Sequence, residues 1–139
     1  MTTHSVQTSF IEGMSFTADI NGHKVIMDTT TDDGGHNSGA SPKRLMLASL
    51  AGCTGMDIVS ILGKMKVAFT EFTIDVHAAV TQDDPKIYNY VKITYKIKVA
   101  EEDKPKMAKA VNLSQEKYCG VSAMFRTFAK LDTEIDFLG

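Results

Sequence analysis

Between Leu45 and Leu62 the chain reads LMLASLAGCTGMDIVSIL, and apolar residues fall on every side of the helix this would form. A helix apolar all round must be buried all round. The segment therefore predicts a central helix, with Ser41 as N-cap and Pro42 at the first helical position, running to about Lys66. Covering every face of it is a heavy demand on 139 residues. Its middle holds a second oddity. Gly52 and Gly55 enclose Cys53 and Thr54, and a glycine inside a helix costs about 1 kcal/mol relative to alanine. Small residues here serve either close approach of another backbone or access to the cysteine.

Strand patterns surround this helix. His4–Ile11 reads as a first strand, ended by Gly13. Met14, Phe16, Ala18 and Ile20 alternate with polar residues, Asn21-Gly22 supplies a type I′ turn, and His23–Asp28 follows as the return strand. Thr29–Ala40 is a polar, glycine-rich loop. Beyond the helix, Phe72–Val80 and Val91–Val99 alternate as half-buried antiparallel strands around an Asp83-Asp84-Pro85 loop. Asp103–Leu113 reads as an amphipathic helix with Met107, Ala110 and Val111 inward. Ser114 is placed to cap a further helix, in which Val121, Met124, Phe125 and Phe128 form an apolar stripe with Cys119 at or just before its start. Thr133–Leu138 is a last strand. The order β-β-β-α-β-β-α-α-β predicts one α+β domain, residues 1–139, with antiparallel sheet.

Composition narrows the function. A net charge of −2 gives no electrostatic case for nucleic acid or an anionic membrane surface. Residues 1–15 lack the basic start and apolar core of a signal peptide. Asp57 and the small polar residues interrupt the apolar run, so no transmembrane span is expected. A cytoplasmic location follows as the expectation. Two cysteines in a reducing compartment are not a structural disulfide framework.

Cys53 and Cys119 are thus either buried thiols acting as small hydrophobes or a redox pair. Their separation in sequence does not place them together, and a disulfide needs Cα atoms about 4.4–6.8 Å apart. Zinc is not expected: there is no C-x-x-C, and His4, His23, His36 and His77 show no ligand spacing. Gly34-Gly35 lacks the pattern of a phosphate-binding loop, and His36 beside it reads as a solvated loop histidine. Asp57, one helical turn after Cys53, is placed to accept a hydrogen bond from a neighbouring helix or loop, or to orient the site, but not to activate a thiol, whose pKa a carboxylate raises. Lys92, Lys96 and Lys98 read as a solvated strand face.

Two motifs carry a resemblance. Ser41-Pro42-x-x-Leu45 followed by Leu47-Ala48-x-Leu50-Ala51-Gly52-Cys53-Thr54-x-Met56-Asp57-Ile58-Val59 resembles the central helix of the OsmC/Ohr family. Leu113-Ser114-x-Glu116-Lys117-Tyr118-Cys119-x-Val121-Ser122 resembles its second cysteine motif. The wording is nearest the YhfA-like branch, and the likeness covers nearly the whole chain. It implies an intertwined homodimer, two central helices packed together and wrapped by sheets from both chains. It also implies that Cys53 faces Cys119 and that the protein is a thiol-dependent peroxidase preferring organic hydroperoxides. Cys53 would then be the peroxidatic thiolate and Cys119 its resolving partner, restored by an external dithiol, with no metal or bound cofactor.

One departure stands out. In the peroxidase branch a Glu follows the helix-opening proline and pairs with an N-terminal Arg. Here Lys43-Arg44 occupies that place, no arginine precedes Arg44, and Arg126 is the only one after it. Two other readings therefore stand beside the peroxidase. One is a noncatalytic dimer of the same fold binding a small apolar ligand. The other is a thiol redox sensor.

Overall fold

A computed structural model describes all residues, 1–139. The chain divides into two compact units, Met1–Met46 and Leu47–Gly139. In the first, β1 (Gln7–Phe10), β2 (Phe16–Ile20) and β3 (His23–Met27) form an antiparallel sheet in that order. Asn21 at φ 39° and Gly22 at φ 89° make the tight turn between β2 and β3, both in the left-handed region that this turn requires. Ala18 is the one buried apolar side chain of this sheet, while Phe10, Phe16, Ile20 and Ile26 stand exposed.

Asp28 organises the loop after β3. Its carboxylate accepts hydrogen bonds from the backbone N–H groups of Thr29 (2.7 Å), His36 (3.2 Å) and Ser38 (3.1 Å) and from the Ser38 hydroxyl (2.6 Å). Gly35 lies so close beneath that a Cβ would sit 2.2 Å from the Thr29 carbonyl oxygen and 2.6 Å from Asp28 Oδ1. His36 contributes its backbone to this knot, and its side chain is exposed.

These donors, the Ser38 hydroxyl foremost, hold the Asp28 carboxyl well below the usual carboxylate range. A depressed folded pKa gives stability that is full above the unfolded value, about 3.9, and is lost as pH falls through the folded one. The loop should therefore stay ordered at pH 4 and loosen only in stronger acid. Hydrogen exchange at His36 and Ser38 checks this: Asp28→Asn should speed exchange at neutral pH and remove its dependence on acid.

Helix α1 (Pro42–Lys64) begins at the end of the first unit, and Lys66 at φ 58° turns the chain out of it. In the second unit β4 (Phe69–Val80), β5 (Tyr88–Val99) and β6 (Lys130–Phe137) form a second sheet with β5 in the middle. β4 pairs antiparallel to β5, but β6 runs parallel to it, which corrects the expectation of a wholly antiparallel sheet. The reason lies in the connection. Helix α2 (Lys104–Leu113), a π-helical turn (Ser114–Tyr118) and helix α3 (Gly120–Phe125) carry the chain back across the sheet, the long crossover a parallel pair needs.

Val91, Ile93, Tyr95 and Ile97 of β5 are fully buried and form one cluster with Leu50, Ile58 and Leu62 of α1 and Met107, Ala110 and Val111 of α2. The inward set expected for α2 is the observed one. On the other sheet face the lysines are not simply solvated. Lys92 pairs with Glu134 at 3.0 Å and Lys96 with Asp75 at 2.9 Å, surface pairs that solvent screens. The stripe expected around α3 is shorter than its pattern: Phe125 is buried, but Met124 and Phe128 are exposed.

Burial of α1 differs most from expectation. One stripe is covered, Leu50, Thr54, Ile58 and Leu62, at a spacing of four. The rest of the helix is open within the chain, with Met56 76% and Val59 47% exposed. Gly52, Gly55, Met56, Phe72 and Ile74 line an open apolar groove of about 610 Å³ there. Gly55 admits Ile74, whose Cδ1 would lie 3.0 Å from an added Cβ, whereas a Cβ on Gly52 or Gly63 would meet nothing within 4 Å. By length and composition α1 also reaches what a membrane span needs, contrary to the sequence reading. Its buried stripe packs on β5 and its Asp57 is hydrogen-bonded to Ser114, which marks it as a core helix.

Candidate active site

Cys53 sits at mid-length of α1, half-buried, on the turn between Leu50 and Thr54. Cys119 is buried where the π-helical turn meets α3. That turn is closed by the Cys119 N–H donating to the Ser114 carbonyl at 2.7 Å, an i→i+5 bond that widens the helix by one residue. Cys119 then leaves helical geometry (φ −79°, ψ 100°) and becomes the N-cap of α3, its sulfur accepting the Ser122 N–H at 3.3 Å. The cap expected at Ser114 is therefore made by Cys119. The outcome is a contact between the two sulfurs at 2.9 Å.

Burial pushes the Cys53 thiol up, and the hydrogen bond and charge of Cys119 and the Asp57 carboxylate push the same way. The Val121 backbone N–H opposes them. Since the thiolate is the reactive form, alkylation of Cys53 by iodoacetamide should rise about tenfold per pH unit and show no plateau below about pH 8.5. Peptide mass spectrometry of timed reactions checks this.

A buried polar chain runs beneath the cysteines. Asp57 Oδ2 accepts from the Ser114 hydroxyl at 2.9 Å. A carboxylate only accepts, so the Ser114 proton is committed to it, and Thr54 Oγ1 at 2.7 Å must donate to Ser114. Thr54 in turn accepts from the Tyr95 hydroxyl at 2.8 Å. Gln115 Nε2 donates to the Tyr95 oxygen at 2.9 Å and to Thr54 Oγ1 at 3.3 Å. Arg126 fixes that amide by donating to Gln115 Oε1 and to its carbonyl oxygen, both at 2.7 Å. All the donors point one way, from the guanidinium to the carboxylate. Sequence reasoning found Asp57 but missed Thr54, Tyr95, Ser114, Gln115 and Arg126. The available signal was polar residues inside apolar stripes: Thr54 between Leu50 and Ile58, and Tyr95 between Ile93 and Ile97.

Cys53, Asp57 and Cys119 also form a cluster of potential metal donors, all within 4.8 Å of one another. None of the four histidines belongs to it. Lys43 and Arg44 are exposed on the first turn of α1, and Arg44 donates to the Ser41 hydroxyl at 3.1 Å.

A profile of the OsmC-like protein family matches residues 35–134, a span that includes both cysteines. The chain belongs to the OsmC-like family. Among curated relatives, this OsmC-like chain is 26% identical to protein YhfA of Escherichia coli K12 over 119 residues, 85% of this chain and 86% of that protein. A hypothetical protein of Aquifex aeolicus has a similar structure, with a TM-score of 0.80, 26% identity and full coverage of both chains. An organic hydroperoxide resistance protein OsmC of Legionella pneumophila shares the fold at a TM-score of 0.69, with 14% identity and 98% of each chain covered.

Proposed function

We propose that this OsmC-like chain is a thiol-dependent peroxidase that reduces organic hydroperoxides, with Cys53 peroxidatic and Cys119 resolving. The observation that carries the reading is the 2.9 Å contact between a half-buried sulfur and a buried one. Cys53 is the more accessible and takes the first step. Its thiolate attacks the terminal oxygen of RO–OH, the O–O bond breaks, the alcohol leaves with a proton, and Cys53 becomes a sulfenic acid. The Cys119 sulfur then attacks Cys53, water leaves, and a disulfide forms. An external dithiol reduces it by exchange. No metal or bound cofactor enters this cycle, and a cytoplasmic location would keep both thiols reduced.

The expected Arg/Glu pair has no counterpart by position, and the Val121 N–H is the contact that favours the thiolate. The reading therefore includes a slow enzyme that speeds up in alkaline buffer.

The same reading includes a homodimer. The open face of α1 and the exposed Phe10, Phe16 and Ile26 are what a partner chain would cover. Gly52→Ala separates the possibilities. In a lone chain it should stabilise by about 1 kcal/mol through helix propensity. Packed against a second helix, the added methyl should instead destabilise and loosen the dimer in sedimentation equilibrium.

Activity is tested by following loss of cumene hydroperoxide, then hydrogen peroxide, with dithiothreitol as reductant. Wild type should consume the organic peroxide faster. Equal slowness of wild type and Cys53→Ser contradicts the proposal. A stoichiometric disulfide without turnover would make the pair a redox sensor, and inert thiols would leave the noncatalytic ligand-binding dimer.

A further inference from the structure

The geometry points to a second use of the same sulfurs: in the reduced protein, Cys53, Cys119 and Asp57 form a three-donor site for a thiophilic divalent cation of the zinc type. Two segments far apart in sequence supply the donors, so no ligand spacing announces them. Cys53 and Asp57 lie one turn apart on one face of α1, and Cys119 arrives from the π-helical turn. All three donor atoms lie within 4.8 Å of one another.

Tetrahedral zinc with Zn–S of about 2.3 Å holds its sulfurs about 3.8 Å apart. The sulfurs here are 2.9 Å apart, so opening them by roughly 1 Å admits the ion, a side-chain adjustment. Two thiolates and one carboxylate favour zinc or cadmium over magnesium or calcium, and water completes the fourth position.

Each donor also has a partner of the kind that orients metal ligands. The Val121 N–H faces the Cys53 sulfur, and the Ser122 N–H donates to Cys119 Sγ at 3.3 Å. The Ser114 hydroxyl donates to Asp57 at 2.9 Å and is itself held by Thr54 at 2.7 Å. Amide-to-sulfur hydrogen bonds from α3 thus serve a metal thiolate as readily as a free one.

Binding releases two thiol protons. It also excludes the disulfide, which uses up both sulfur ligands. Peroxide would therefore expel the metal: the two thiolates give two electrons to ROOH, two protons are taken up, and disulfide, ROH, water and the free cation result. Binding rests on geometry alone, and only this release step rests on the peroxidase reading.

The test titrates reduced, chelator-washed protein without oxygen. Zn²⁺ is competed against a chromophoric chelator, and Cd²⁺ is followed by its thiolate charge-transfer absorbance. One ion per chain should bind, with release of two protons. Cys119→Ser should abolish binding, Asp57→Asn, which alters a ligand and not merely an outer contact, should weaken it at least about 10- to 100-fold, and Asp57→Glu should restore most of it. Wild type oxidised to the disulfide with diamide should bind none. No competition with the chelator, or equal binding by the oxidised and reduced proteins, overturns the site. So does an Asp57→Asn variant with unchanged affinity. The two proposals fail separately. Metal binding without peroxide turnover sinks the peroxidase, and turnover in chelator by a protein that binds no metal sinks the site.

Discussion

Cys53→Ser should lose peroxide turnover by about a thousandfold or more, because it removes the nucleophile on which every later step depends. Cys119→Ser should behave differently. It keeps the attacking sulfur and loses the resolving one, so a single peroxide is consumed and the sulfenic acid persists at Cys53, where dimedone traps it. Removing Cys119 also removes a hydrogen bond and a charge that push the Cys53 thiol up. The variant should therefore alkylate faster than wild type at neutral pH. A merely structural pair of thiols would not show the trapped sulfenic acid.

Thr54→Val should be the more damaging change to stability. The valine fits the space but strips the centre from the polar chain: the buried Tyr95 O–H loses its acceptor and the Ser114 oxygen its donor, while Gln115 and Asp57 keep their bonds to them. Each unsatisfied buried group costs about 1–3 kcal/mol, so a loss of about 2–4 kcal/mol is expected. Thr54→Ser, which keeps the hydroxyl, should recover most of it. Urea unfolding at one fixed protein concentration measures both variants, since a dimer's apparent stability depends on concentration.

Much of this fold could be read from patterns that depend on near neighbours. Alternation located β4 and β5, Asn21-Gly22 located the β2–β3 turn, and the spacing of Met107, Ala110 and Val111 oriented α2. What could not be read depends on partners distant in sequence. The direction of β6 follows from how the α2–α3 crossover returns to the sheet, and no periodicity within β6 encodes that. The π-helical turn depends on one shifted hydrogen bond, Cys119 N–H to Ser114, yet it decides where the second sulfur lies. Ser114 looked like a cap because serine favours helix starts. Its hydroxyl instead joins Thr54 to Asp57, a role visible only once α1 and the turn are side by side.

The apolar circumference of α1 was legible as composition and misleading as burial. Four residues at a spacing of four are covered within the chain, and Met56 and Val59 are not. The glycines divide the same way. Gly55 makes room for Ile74, while Gly52 and Gly63 face space that this chain does not fill.

Cys53 and Cys119 should act as a pair on peroxide. Reduced wild-type protein treated with one equivalent of cumene hydroperoxide, digested without reductant and mapped by mass spectrometry, tests it most directly. A Cys53–Cys119 linked peptide within the same chain is expected in near-stoichiometric yield. Recovery of both cysteines as free thiols after the peroxide has been offered would contradict it, and so would oxidation that settles on Cys119 alone.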